Sequence, residues 1–252
     1  MTHSIAEAIS ITVSETVCVS GLLQNPPHAR ACYVMAHGAG AGMTHAFMAS
    51  VAAELAAHRV ATLRFQFPYM ERSERRTDPP KVAHATIRAA VAEASRRLPA
   101  LPLFAGGKSF GGRMTSQAQA IDPMSGVRGL VFLGFPLHPA GKPSIDRAAH
   151  LDDVYVPMLF LQGTKDELAE LSLVESVVAR LGRRATLEIF ADADHSFHVP
   201  ARTGRKDADI RAAIVAATLK WIDSTMRGAD EKTPTRKPPN RNRRSAHHFS
   251  KA

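Results

Sequence analysis

Six short apolar runs alternate with stretches of helical period along this chain, and that rhythm restricts the folds open to it more than any other feature. The runs are Ala31 to Ala36, Val60 to Phe65, Leu101 to Ala105, Val127 to Leu133, Pro157 to Leu161 and Ala185 to Phe190. Little polar alternation interrupts them, which suits strands buried on both faces of a parallel sheet. Between them, Thr44 to His58 places Phe47, Met48, Val51, Ala52 and Leu55 on one helical face. After the turn Asp78-Pro79-Pro80, Ile87, Val91, Ala94 and Leu98 recur at the same spacing. Phe110 to Ile121, then Leu171, Val174, Val178 and Leu181, then Ile210, Ile214, Ala217 and Trp221 complete the helical set. Ile9 to Leu23 is expected to add one or two antiparallel edge strands. The expected fold class is α/β, a doubly wound and mostly parallel sheet with helices on both faces.

With 252 residues, 45% of them hydrophobic and 22% charged, the chain can bury a full core, which excludes wholesale disorder. No stretch reaches the roughly 18 consecutive apolar residues of a membrane span, so no membrane partner is expected. Met1 to Ser10 carries no basic segment of the kind that opens a secretory leader. Cys18 and Cys32 are too few for a disulfide framework; they are expected as buried thiols, close together on neighbouring strands. Together these features give the expectation of a cytoplasmic protein. The formal charge of +9 first suggests nucleic acid, yet residues 226–252 hold eight Lys or Arg against two acids. Residues 1–225 carry 24 basic against 21 acidic residues, too even for nucleic-acid binding by the body. Residues 1–225 are read as the domain and 226–252 as a disordered basic tail, with weak affinity for anionic polymers its one expected interaction.

In a doubly wound sheet the working residues lie beyond the carboxyl ends of the strands. The strand Leu101 to Ala105 leads into Gly107-Lys108-Ser109-Phe110-Gly111 and then a helix, which is G-x-S-x-G in its required strand–turn–helix setting. The tight turn holds the serine in a strained conformation, and side chains two residues to either side would strike neighbouring backbone. A phosphate-cradling loop ending in Gly107-Lys108-Ser109 fails because its first glycine position is Pro102. His37-Gly38-Ala39-Gly40 fails as a dinucleotide loop for the same kind of reason, its last glycine position being Met43 or His45.

A serine hydroxyl needs a base to take its proton and an acid to orient that base, and the order in this topology is Ser, acid, His. Asp166, in the turn after Pro157 to Leu161, is read as the acid, with Glu167 behind it. His195, in the loop after Ala185 to Phe190, is read as the base, with His198 second. Asp192, Asp194, His195 and His198 could also be read as metal ligands, but one short segment rarely supplies a whole site, so no metal is expected. An oxyanion needs backbone donors; Phe110 N–H is one, and Ala39 N–H the other, with Gly40 as its alternative. His37 is read as pinning that loop rather than as a base.

Gly107 to Gly112, His37 to Gly40, Asp166 and His195 together resemble the α/β-hydrolase superfamily, nearest its small dienelactone-hydrolase-like members. Arg64-Phe65-Gln66-Phe67-Pro68-Tyr69-Met70 and Pro136-Leu137-His138-Pro139 are similar to a bacterial branch of predicted hydrolases. That branch is related to the eukaryotic testis-expressed and chromatin-complex hydrolase-like proteins. The resemblance, over roughly residues 15–225, implies a serine hydrolase that cleaves a carboxylic ester or thioester of a small soluble substrate, without metal or organic cofactor. Dienelactone hydrolase itself uses a cysteine where position 109 is serine. Only residues 134–155 stand where many relatives insert a lid, so little or no lid is expected, with a shallow pocket bordered by Phe135, Pro136, Leu137, His138, Tyr69 and Met70. A second reading is a hydrolase fold kept as an interaction module without significant catalysis.

Overall fold

The computed structural model describes residues 5–230, without the side chains of the last two. Its strands and helices follow in the order β1 (Glu7–Ser14), β2 (Val17–Gln24), β3 (Ala31–Ala36), α1 (Ala46–Ala57), β4 (Val60–Phe65), α2 (Pro68–Glu71) and α3 (Pro80–Arg97). Then come β5 (Leu103–Lys108), α4 (Phe110–Ile121), β6 (Val127–Leu133), β7 (Met158–Gly163), α5 (Leu171–Leu181), β8 (Ala185–Phe190) and α6 (Asp207–Asp230). One eight-stranded sheet has the order β1-β2-β4-β3-β5-β6-β7-β8. Strands β1 and β2 are antiparallel at one edge, β2 is antiparallel to β4, and every later pairing is parallel.

All residues of β3 and β4 are buried, as unbroken apolar runs require. One face of the sheet packs under α3, α4 and α5, where Ile87, Val91, Met114 and Val174 meet Phe132 and Phe160. The other face packs under α1 and α6, where Met48, Val51, Leu55, Ile214 and Ile222 meet Tyr33, Met35 and Leu159. Trp221 sets its indole edge against Phe104 and lies over Gly129, whose lack of a side chain makes the room.

Strand β5 runs three residues past the reach expected of it, because Gly106 and Gly107 are ladder residues and not a turn. They stand at φ +144° and +140°, where a Cβ would lie 1.9 Å from the Val131 carbonyl oxygen and 2.0 Å from that of Ala36. Helix α2 and a 3-10 stretch at Asp146–Asp153 carried no signal long enough to read. That 3-10 stretch packs against α4 and α5 on the flank of the sheet.

Helix α6 passes through the boundary drawn at residue 225 and continues to Asp230. Residues 226–230 therefore do not belong to a disordered tail: Met226 still finds apolar surface beside the buried Ile222. The rest of the segment read as a tail, 231–252, lies outside the described residues. The cysteines differ from expectation as well: β4 separates their strands, and Cys18 is exposed while Cys32 is buried. Among the described residues, no helix is long and apolar enough to cross a membrane.

Candidate active site

Ser109 stands between β5 and α4 at φ +50° and ψ −116°, a region an L-residue occupies only when its surroundings impose it. The neighbours that impose it are close. A Cβ on Gly107 would meet Ala36, and one on Gly111 would lie 2.5 Å from the His37 carbonyl oxygen, so both flanking positions admit only glycine. Ser109 N–H donates to the Leu133 carbonyl, 3.2 Å, which ties the turn to β6.

Three side chains from three strand ends then form a hydrogen-bonded chain. Asp166 Oδ2 accepts from His195 Nδ1, 2.7 Å, and His195 Nε2 is 2.7 Å from Ser109 Oγ. An ionised carboxylate only accepts, so Nδ1 carries the ring proton and Nε2 offers its lone pair to the serine hydroxyl. The Asp166 side chain is buried and fully used: Leu168 N–H donates to Oδ1 at 2.8 Å, and the Gln162 amide donates to Oδ2. Gln162 also accepts from Phe135 N–H, 3.1 Å, joining the acid to the chain that leaves β6. Glu167, the alternative acid, is exposed, and the bond to His195 Nδ1 is made by Asp166.

Two unexpected residues hold the histidine in place. Gly163, where a Cβ would lie 2.2 Å from the Ala193 carbonyl oxygen, lets the loop before His195 cross the end of β7. Lys108 Nζ donates to the His195 carbonyl, 2.6 Å, and lies 5.5 Å from the centre of the Phe197 ring. Burial pushes this ammonium down to about 8, while Asp166 and Asp194 pull it back up. The sequence offers no sign of this role, since a middle position of G-x-S-x-G carries no signal of its own.

The four residues considered as metal ligands disperse. His195 turns to Asp166, His198 pairs with Asp207 at 2.9 Å, and Asp194 caps the amides of Ser196 and His198. Asp192 Oδ2 faces Arg205 at 3.3 Å.

Beside Ser109 and His195 opens a cleft of about 330 Å³, formed by the backbone of Gly38 to Ala41 and by His45, Phe47, Met48, Lys108 and Leu168. Phe110 N–H and Ala39 N–H have no acceptor among the described residues, and Gly40 N–H has none either. The expected pocket residues lie elsewhere. Phe135 packs edge-on to Phe132 in the core, Pro136 and Leu137 are buried, and Met70 packs against the same core. His138 is 2% exposed and takes Glu170 N–H on Nε2, with Nδ1 donating to the Pro139 carbonyl, so it is a loop pin. These residues follow a strand end in sequence, but their side chains pack into the core and against the chain near Glu170. Of the expected border, Tyr69 hydrogen-bonds to the loop that forms the cleft, as described below.

His37 is wholly buried, accepts Phe67 N–H on Nε2 at 3.1 Å, and directs Nδ1–H to the Gly38 carbonyl at 2.8 Å. Burial pushes its pKa down to about 4, partly offset by that backbone bond. Burial likewise lowers His150 to about 4, helped by the Arg113 and His84 charges. In both cases the unfolded chain binds a proton near pH 6.5 that the folded chain refuses until about pH 4. Stability therefore rises with pH across that window and falls as pH drops through it, by on the order of 3 kcal/mol for His37. Urea melts at pH 7, 5.5 and 4 should show the loss, and His150→Gln should make it shallower. An unchanged slope in that variant would contradict the assignment for His150.

A family model described as an alpha/beta hydrolase domain matches residues 29–223, most of the chain. The chain belongs to that family. The hydrolase is similar in fold to dienelactone hydrolase from Anabaena variabilis, with a TM-score of 0.72, 22% identity, and coverage of 88% of this chain and 99% of that one. It is also similar to an α/β serine hydrolase without lid from Xanthomonas campestris, with a TM-score of 0.67, 20% identity, and coverage of 88% and 97%. A third likeness is to an alpha-beta serine hydrolase homologue from Coxiella burnetii, with a TM-score of 0.69, 18% identity, and coverage of 86% and 99%. At these identities the structural likeness is one of fold, and family membership is what supports a hydrolytic activity for this hydrolase.

Proposed function

We propose that the protein is a serine hydrolase that cleaves a carboxylic ester or thioester of a small substrate through an acyl-enzyme on Ser109. The observation that carries this reading is the unbroken chain from Asp166 through His195 to Ser109 Oγ, ending in an open cleft. In the reaction, Ser109 Oγ attacks the acyl carbon as its proton passes to His195 Nε2. Asp166 keeps the ring in the needed tautomer and stabilises it once it is charged. The carbonyl oxygen, now negative, receives Phe110 N–H and Ala39 N–H. His195 returns the proton to the departing alcohol or thiol. Water, deprotonated by the same nitrogen, then releases the acid and restores Ser109. The two free cysteines, on strands that do not pair, fit work in a reducing cytosol.

The cleft also suggests which acyl group is taken. Phe47, Met48 and Leu168 supply apolar surface, and Lys108, the one lysine or arginine among the described residues of the lining, is engaged with the His195 carbonyl. A carboxylate on the acyl chain would find no free lysine or arginine among the described residues of the lining and would lose hydration. On a panel of p-nitrophenyl esters, kcat/KM should rise at least about tenfold from acetate to hexanoate, since each buried methylene contributes roughly 0.8 kcal/mol. It should fall again for chains that outgrow the cleft, and a hemisuccinate ester should be turned over poorly. A flat profile, or a preference for the hemisuccinate, would overturn this account of the cleft.

The decisive experiment for the activity is labelling with a fluorophosphonate probe. Native protein should label at Ser109, and Ser109→Ala should not. A native protein that stays unlabelled would sink the proposal and favour the interaction-module reading.

A further inference from the structure

The segment Arg64 to Met70 has no part in the chemistry above, yet three of its side chains converge on the loop that carries Ala39 and Gly40. That loop, residues 37–45, joins β3 to α1 and makes only two backbone hydrogen bonds within itself, Ala41 N–H to Gly38 at 3.4 Å and His45 N–H to Gly42 at 3.1 Å. Its shape must come from outside. Tyr69 Oη donates to the Ala39 carbonyl, 2.9 Å, and lies 3.5 Å from the Gly38 carbonyl oxygen. Gln66 Oε1 accepts Met43 N–H, 2.9 Å, and Arg64 Nη1 donates to the Met43 carbonyl, 3.0 Å.

Peptide planarity makes the Tyr69 contacts consequential. In a trans peptide the C=O and the N–H of the next residue point in opposite directions. The Gly38 carbonyl, bonded to His37 Nδ1–H at 2.8 Å with Tyr69 Oη beside it, aims Ala39 N–H the other way, and the Tyr69 bond to the Ala39 carbonyl does the same for Gly40 N–H. Both amides belong to the wall of the cleft that contains Ser109. Tyr69 is itself fixed: it is fully buried, stacked on Phe67, and its N–H donates to Asp78 Oδ2 at 2.9 Å. The Asp78 carboxylate is held in turn by Arg72, 3.0 Å.

Arg64 adds an energetic argument. It is 4% exposed, has no carboxylate partner among the described residues, and its Nε has no acceptor there. A buried guanidinium without an acid costs stability that an apolar residue of similar size would not. What it supplies in return is the bond to Met43.

We propose that Tyr69 is a positioning residue for the reaction: its hydroxyl fixes the Ala39–Gly40 peptide and, with His37 on the peptide before it, aims the Ala39 and Gly40 amides at the oxyanion, while Arg64 and Gln66 anchor the far end of the same loop. This inference rests on the serine-hydrolase reading, because it needs an oxyanion above Ser109. A hydrogen bond to a carbonyl also polarises its peptide, so the hydroxyl strengthens the amides it orients.

Tyr69→Phe is the test, since it keeps the ring in its stack and removes only the oxygen. Loss of an oxyanion donor typically lowers kcat by about 10²–10³-fold, and a donor loosened but still present should lower it by roughly tenfold. KM for the same ester should stay unchanged, as should the thermal midpoint. Affinity for a simple boronic acid, which adds to Ser109 Oγ as a tetrahedral anion, should fall by the same factor as kcat. Amide hydrogen exchange at residues 38–43 should quicken while that of β5 and β6 does not. A merely structural tyrosine would instead lower the thermal midpoint and leave kcat and boronate affinity together at the wild-type level. Wild-type kcat and boronate affinity in Tyr69→Phe, with native enzyme that labels with fluorophosphonate, would overturn this inference alone. A native enzyme that neither labels nor turns over an ester would overturn the serine-hydrolase reading and this inference with it.

Discussion

Ser109→Ala is expected to lower kcat by about 10⁴-fold or more, with the fold retained. The size of the effect follows from what the hydroxyl does in the proposed reaction. Without Oγ no acyl-enzyme forms, and the remaining amides and cleft can only hold a substrate while water attacks unaided. Catalysis by binding and oxyanion contacts alone is worth roughly 10³–10⁴ over the uncatalysed rate, so a small residue of activity should survive. The fold should not suffer, because alanine brings the same Cβ to the same strained backbone. The lost bond to His195 Nε2 is partly solvent-facing and costs about 1 kcal/mol or less. Steady-state turnover on a hexanoate ester, with circular dichroism as the control, checks both halves. Retention of more than a tenth of native kcat by a folded variant would show that another nucleophile is at work.

Gly107→Ala should have the largest effect on stability, a loss beyond about 4 kcal/mol that leaves little soluble folded protein. The added Cβ would stand 2.0 Å from the Ala36 carbonyl oxygen and 2.7 Å from Ala36 N, all of it backbone in the middle of the sheet. No rotamer change relieves such a contact. The strands β3 and β5 would have to part, breaking ladder bonds between residues buried on both faces. The φ of +140° adds strain of its own for any residue with a side chain. Gly182→Ala is the control: its φ is also positive, but a Cβ there meets nothing, so only about 1 kcal/mol should be lost. Urea denaturation of the two variants separates the mechanisms. Equal losses would mean that backbone conformation, and not the closeness of β3, is what demands glycine at 107.

Much of this molecule was legible before any coordinates, for reasons that differ by element. Strands β3, β4 and β6 fall where their apolar runs fall, because a strand buried on both faces has almost no polar position to blur its ends, and β8 matches its run although it is a partly exposed edge strand. Ser109, Asp166 and His195 were legible because topology assigns each a strand end and an order along the chain. The end of β5 was misplaced because Gly106-Gly107 reads locally as a turn, and only the contact with Ala36 and Val131 makes those glycines strand residues. The pocket was misplaced because Phe135 and His138 follow a strand end, yet whether a loop rises over the site or tucks beneath it depends on what it packs against. Helix α6 outran its assigned end because a charged, glycine-containing segment says nothing about the apolar surface waiting for Met226.

By itself the sequence determined the alternation of strands and helices, the strained serine and the identity of the residues in the Asp166–His195–Ser109 chain, since each depends on local pattern or on chain order. Only the tertiary structure decided which side chains form the cleft, that Lys108 holds the His195 loop, and that Arg64, Gln66 and Tyr69 reach the loop of Ala39. Those contacts join residues from 21 to 87 positions apart, and no spacing rule encodes a distance that exists only after the sheet has closed.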